Sequence, residues 1–153
     1  MEAFDGDLVG ESEGTPGDLG FLTSSSIAAH KKGFTLISQN ARSVRANGRK
    51  IKELMMELSP SVLCLQENWG HSLSVTGYRS IDLFRGSRGG GVSILFSTNS
   101  CNLEKTTEIM HDSIELLCAT NKNIAITNVY RPPKGNFQQF IIRLKDHLET
   151  IYC

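Results

Sequence analysis

Two apolar runs, each closing on a polar residue and separated by a helical stretch, constrain this chain more than any other feature. The first, Phe34-Thr35-Leu36-Ile37-Ser38, runs into Gln39-Asn40, and the second, Val62-Leu63-Cys64-Leu65, runs into Gln66-Glu67. Short continuous apolar runs of this kind read as buried strands, the second as a central one. Between them, Ile51, Leu54, Met55 and Leu58 recur at helical spacing, which predicts a helix from Asn47 to Leu58. Ser59-Pro60 stops it, because proline disfavours helical geometry in the residue before it. The unit is therefore strand, helix, strand, and the carboxyl ends of the two strands carry Asn40 and Glu67 to one edge. A third run, Asn123 to Val129, ends in Tyr130-Arg131-Pro132-Pro133, where the proline pair forbids further strand.

The remainder reads as antiparallel strands and one more helix. Tyr78 to Phe84 and Val92 to Phe96 flank Gly89-Gly90-Gly91, and Ile114 to Ala119 meets Asn123 to Val129 across Thr120-Asn121-Lys122. Both pairs predict hairpins. Phe137, Phe140, Ile141, Leu144 and Leu148 mark an amphipathic helix running nearly to the end. The order predicts a mixed α+β sandwich from about Gly33 to Cys153. Residues 1–32, rich in Gly, Ser, Asp and Glu, lack the apolar surface to offset ordering entropy and are expected to be a disordered lead.

Charge is uneven along the chain. The total is zero, from 16 basic and 16 acidic residues. Six of the acids lie in residues 1–30, which hold no Lys or Arg, so residues 31–153 carry 16 bases against 10 acids. Seven bases and no acid fall between Lys31 and Lys52. Such a stretch suits a nucleic-acid partner, the alternative being a solvated loop and helix face. Cys64, Cys101, Cys118 and Cys153 show no metal-binding spacing; a reducing, intracellular location without zinc is expected. No apolar stretch reaches the ~20 residues of a membrane span, and the acidic start does not suit a signal peptide.

Among residues that carry chemistry, Glu67 stands first. A carboxylate just beyond a buried strand can hold a cation without full burial, and magnesium takes one or two carboxylates together with waters and substrate oxygens. The alternative is a strand-end Glu in solvent. Asn40 offers an amide to water or phosphate, against the alternative of a simple turn residue. Tyr130 offers a hydroxyl, against an ordinary strand aromatic. His30, His71, His111 and His147 stand at no ligand spacing; His147 is expected to face solvent and His111-Asp112 to form a polar turn. Gly89-Gly90-Gly91 lacks the Lys-Ser/Thr pair and following helix of a phosphate loop.

These residues fall into an ordered set. Gln39-Asn40-Ala41-Arg42-Ser43, Leu65-Gln66-Glu67-Asn68-Trp69, Gly77-Tyr78, Arg88-Gly89-Gly90-Gly91-Val92 and Asn128-Val129-Tyr130-Arg131-Pro132-Pro133 occur in sequence at fitting intervals. Together they resemble the endonuclease/exonuclease/phosphatase superfamily. More narrowly, they resemble the apurinic-endonuclease-like domain of non-LTR (LINE-type) retrotransposon polyproteins, over about Phe34 to the C-terminus.

The resemblance implies a deoxyribonuclease-like four-layered αββα sandwich, incomplete at the C-terminus, with a Mg2+ or Mn2+ phosphodiesterase site at one end. It implies Glu67 as metal ligand, Asn40 positioning phosphate and water, and Tyr130 lining the scissile phosphate. DNA is the implied partner, with Arg42, Arg45, Arg49 and Lys50 facing its phosphates, and the nucleus the implied location. The family's Gly-Asp-Phe-Asn and Ser-Asp-His segments do not occur in these residues, so residues 1–153 are expected to be inactive by themselves. Two alternatives accompany this reading: a non-catalytic remnant that binds nucleic acid or protein, and a phosphatase-branch member, against which Tyr130-Arg131-Pro132-Pro133 argues.

Overall fold

The computed structural model describes residues 26–31 and 33–152. Eight strands and two helices follow in the order β1 (Ser26–Lys31), β2 (Phe34–Asn40), α1 (Val44–Leu58), β3 (Val62–Gln66), β4 (Tyr78–Leu83), β5 (Val92–Ser97), β6 (Glu104–His111), β7 (Ile114–Thr120), β8 (Ala125–Tyr130) and α2 (Phe137–Tyr152). One sheet has the order β1-β2-β3-β5-β4 and the other β6-β7-β8. β2 and β3 are parallel, with Asn40 level with Gln66, as the βαβ reading requires. Every other pairing is antiparallel.

The architecture is the expected αββα sandwich, and the reason lies in which face each residue serves. Leu63 and Leu65 face α1, where Val44, Ile51 and Met55 pack. Val62 and Cys64 face the other way, into the layer between the sheets, and meet Leu117 and Ala119 of β7. Ile114, Leu116 and Cys118 turn outward against Phe140, Leu144 and Ile151 of α2. β3 and β7 are thus covered on both sides, which is why their sequences are apolar without alternation. Burial pushes the Cys64 thiol up to about 12, so it behaves as a small hydrophobe.

Several expectations meet differences. Ser26–Lys31, which the sequence assigns to the lead, pairs antiparallel with β2; backbone pairing asks little of composition, so composition does not reveal it. Residues 1–25 of that expected lead lie outside the described residues. β6 has no counterpart in the sequence reading. It is an edge strand, with Glu104, Lys105, Thr106 and Glu108 exposed and a register shift between Lys105 and Thr107, so it carries no apolar run. His147 is a correction: it is buried rather than facing solvent, with Nε2 3.2 Å from Thr127 Oγ1. The apolar stripe of α2 divides. Phe140 and Leu144 pack on the sheet, whereas Phe137, Ile141 and Leu148 are exposed.

Candidate active site

Parallel pairing of β2 with β3 brings the two loops that follow them together, and the backbone stitches them. Ala41 N–H donates to Gln66 O at 2.7 Å, Ser43 N–H to Glu67 O at 2.9 Å, and Val44 N–H to Asn68 O at 3.4 Å. The first loop is held compact by Asn47, whose Nδ2 donates to the carbonyls of Ala41 (2.9 Å) and Arg42 (3.0 Å). Ser43 caps α1 by accepting from Ala46 N–H. Five non-glycine residues among those described have positive φ: Arg42, Ser43, Ser59, Glu67 and Trp69. Ser59 ends a helix; the other four flank this one point. Left-handed backbone costs roughly 1–2 kcal/mol per residue, and such strain collects where surrounding bonds over-determine it.

At that point the structure brings Asn40, Glu67 and Tyr130 together. Asn40 Nδ2 donates to Glu67 Oε1 at 3.1 Å, and Tyr130 O–H donates to the same oxygen at 2.9 Å. Asn40 Oδ1 accepts from Arg42 N–H at 3.0 Å, which fixes the orientation of the amide. The Tyr130 hydroxyl is pushed up to about 12, first by burial and then by its hydrogen bond to Glu67. It therefore stays protonated as a donor. Both donors use Oε1, and among the described residues Oε2 of the half-buried Glu67 accepts no hydrogen bond.

Two buried residues stand behind these three, and sequence reasoning missed both. Asn128 on β8 is buried between the sheets. Its Nδ2 donates to Leu65 O at 2.8 Å and Ser93 O at 2.9 Å, and its Oδ1 accepts from Gln66 Nε2 at 2.6 Å. It ties the strand that carries Tyr130 to the strand that precedes Glu67. Glu115 sits level with Tyr130 across β7 and β8 and is fully buried. Its Oε2 accepts from Gly91 N–H at 2.5 Å, and Arg85 Nε lies 2.8 Å from Oε1 as a charge pair at an angle outside hydrogen bonding. Burial raises the Glu115 carboxyl above the usual range, opposed by Gly91 and Arg85 and assisted by Glu67. The available signal was a carboxylate inside the apolar run Ile114–Ala119, a placement that is costly unless paired.

The four basic candidates divide. Arg42 is exposed beside Asn40. Arg45 and Arg49 line a groove of about 470 Å³ between α1 and His71–Ser74, with Arg49 paired to Glu53 at 3.1 Å. Lys50 is exposed on the same helix.

A hard divalent cation fits this donor set in a limited way. Glu67 Oε2 is one carboxylate oxygen beside neutral donors, and no group of three His, Cys, Asp or Glu that could hold a metal occurs among the described residues. Magnesium is content with one carboxylate when waters and substrate phosphate fill the other positions.

No family model matches the chain, and no curated protein matches it by sequence. Solved structures do match in fold. The 3′ phosphatase NExo from Neisseria, bound to a product DNA hairpin, superposes with a TM-score of 0.51 at 17% identity, over 62% of this chain and 40% of that one. The AP endonuclease LMAP from Leishmania major superposes with a TM-score of 0.52 at 15% identity, over 84% of this chain and 55% of that one. The chain shares the fold of these two proteins and spans about half of their length or less.

Proposed function

We propose that this chain supplies the Asn40–Glu67–Tyr130 part of a metal-dependent phosphodiesterase site that nicks DNA, as in the endonuclease domain of a non-LTR retrotransposon polyprotein acting in the nucleus. The observation that carries the reading is the single carboxylate oxygen held by two neutral donors at the end of a buried strand, with its second oxygen left over. Oriented in this way, Glu67 Oε2 would hold Mg2+ or Mn2+, which when bound supplies charge neutralisation at the phosphate. Asn40 and Tyr130 hold the carboxylate in one pose, and Tyr130 keeps its proton through the neutral range. Arg42 at the rim, with Arg45, Arg49 and Lys50 along α1, presents positive charge to a DNA backbone.

Residues 1–153 do not contain the full catalytic set. The family's His and Asp-Asn pair are absent, and groups that act as a unit do not retain a proportional share of rate when one remains. Residues 1–153 are therefore expected to bind DNA weakly and not to nick it. A supercoiled-plasmid assay with Mg2+, run beside duplexes carrying an abasic site or a 3′-phosphate, tests this. Nicking of the plasmid by residues 1–153 that disappears in Glu67→Ala would refute the expected inactivity. Salt-independent binding, or none at low salt, would count against DNA as the partner.

A further inference from the structure

Glu115 has no place in the reading above, yet its contacts lead to Glu67 in two steps. Its carboxylate abuts the glycine turn before β5. A Cβ added at Gly90 would stand 2.5 Å from Oε1 and 2.9 Å from Oε2, and Gly91 N–H donates to Oε2. The opposite side of the same turn meets the residues after Glu67. Gly90 O accepts from Trp69 N–H at 3.0 Å and Gly91 O from Asn68 N–H at 3.3 Å, while a Cβ at Gly91 would collide with the Asn68 amide. Asn68 is itself fully buried, donating to Leu83 O at 3.2 Å and to Ser93 Oγ at 3.0 Å.

Gly90-Gly91 is thus clamped between Glu115 of the second sheet and Asn68-Trp69 of the first. The turn holds Asn68 and Trp69 directly, and the backbone there needs holding, since Trp69 (φ 54°) and the adjoining Glu67 (φ 55°) are both left-handed. Without those two hydrogen bonds, the Ser43 and Val44 amides would still hold the Glu67 and Asn68 carbonyls, but the left-handed backbone on either side of Asn68 would be freer to relax and to carry the Glu67 side chain away from Asn40 and Tyr130. A buried carboxylate with an off-line charge pair is also an expensive way to fill a core, so packing alone does not account for it.

We infer that Glu115 is a positioning residue for Glu67, acting through the Gly90-Gly91 turn to keep the Glu67 carboxylate in its metal-binding pose. The metal part of this inference rests on the function proposed above; the backbone part does not. Two variants separate geometry from charge. Glu115→Gln keeps an acceptor within reach of Gly91 N–H and loses the charge. Glu115→Asp keeps the charge but withdraws it by one methylene.

The test is amide hydrogen exchange by NMR on the 153-residue chain, read as the ratio of the Trp69 and Asn68 rates to that of Leu65 in the β3 ladder. A global loss of stability moves all three together, whereas loss of positioning moves the ratio. Glu115→Asp and Glu115→Ala should raise the ratio about tenfold, the scale of one hydrogen bond to a charged group, and Glu115→Gln should stay near the parent value. An unchanged ratio in Glu115→Asp, or equal changes in Asp and Gln, would overturn the inference. If Glu115→Ala does not fold, the Asp and Gln pair decides alone. Mn2+ titration, followed by broadening of the Glu67 and Asn68 amides, adds a second readout. Affinity should fall about tenfold or more in Glu115→Asp and be spared in Glu115→Gln. Absence of broadening in the parent chain would refute the metal reading of Glu67 and leave the exchange ratio to judge the backbone link.

Discussion

Replacing Asn128 by alanine should strongly destabilise the contact between the two sheets. Its side chain makes three hydrogen bonds, at 2.8, 2.9 and 2.6 Å, and is only 2% exposed. A neutral hydrogen bond is worth about 1 kcal/mol net, so the three together contribute about 3 kcal/mol. Alanine also leaves the Leu65 and Ser93 carbonyls and the Gln66 amide without that partner, in a layer where an unmet polar group costs about 1–3 kcal/mol. A loss of about 3–5 kcal/mol is therefore expected, a large share of the ~5–15 kcal/mol that stabilises an ordinary domain. Urea unfolding, followed by circular dichroism and by fluorescence of the single tryptophan Trp69, measures it. With a slope of ~1.5 kcal/mol per molar, the midpoint should fall by about 2 M or more. A fall of less than ~0.5 M would mean that the buried amide makes no net contribution, and that apolar contacts alone register the two sheets.

Four other outcomes follow from the same geometry. Gly91→Ala should destabilise by about 2 kcal/mol or more, because its φ of 83° disfavours a side chain and the new Cβ meets the Asn68 amide; unchanged thermal unfolding would contradict the packing described. His147 should make the fold less stable in mild acid. Burial lowers its value below 6.5, so the unfolded chain takes the proton first, and stability present above 6.5 declines as pH falls toward the folded value. His147→Gln should flatten that decline. Glu115 acts in the opposite sense, since its raised value favours the protonated native state and stability declines as pH rises from 4.5; Glu115→Gln should remove this part of the profile. Finally, if Arg42, Arg45 and Arg49 meet DNA phosphates, raising salt from 50 to 200 mM should weaken binding about 40-fold, and Arg45→Ala should reduce the logarithmic salt slope by ~0.9; an unaltered slope would remove Arg45 from the interface.

Much of this architecture was legible in the sequence because one-dimensional periodicity reports burial. The apolar runs of β2, β3, β5 and β7 are double-faced cores, and the 3.6-residue repeats of α1 and α2 mark helices that cover them. Strand ends are equally legible, so position marks Asn40, Glu67 and Tyr130 as candidates, each beside a bland alternative, and the motif resemblance supplies their expected roles. β6 was not, because an exposed edge strand satisfies its backbone through a neighbour and leaves no apolar signature. His147 was misplaced because helical spacing sets an angle around the axis without saying how deep the neighbouring strand lies.

The sequence by itself determined which residues stand at the ends of strands, since strand period and proline stops are local properties of the chain. Only the tertiary structure decided that Tyr130 reaches the same oxygen of Glu67 as Asn40 does, and that Glu115 and Asn128 stand behind them. Tyr130 and Asn128 lie 63 residues beyond the Glu67 and Leu65 oxygens to which they donate. Their meeting depends on how two separate sheets stack and in what register, and no local pattern of residues encodes that distance.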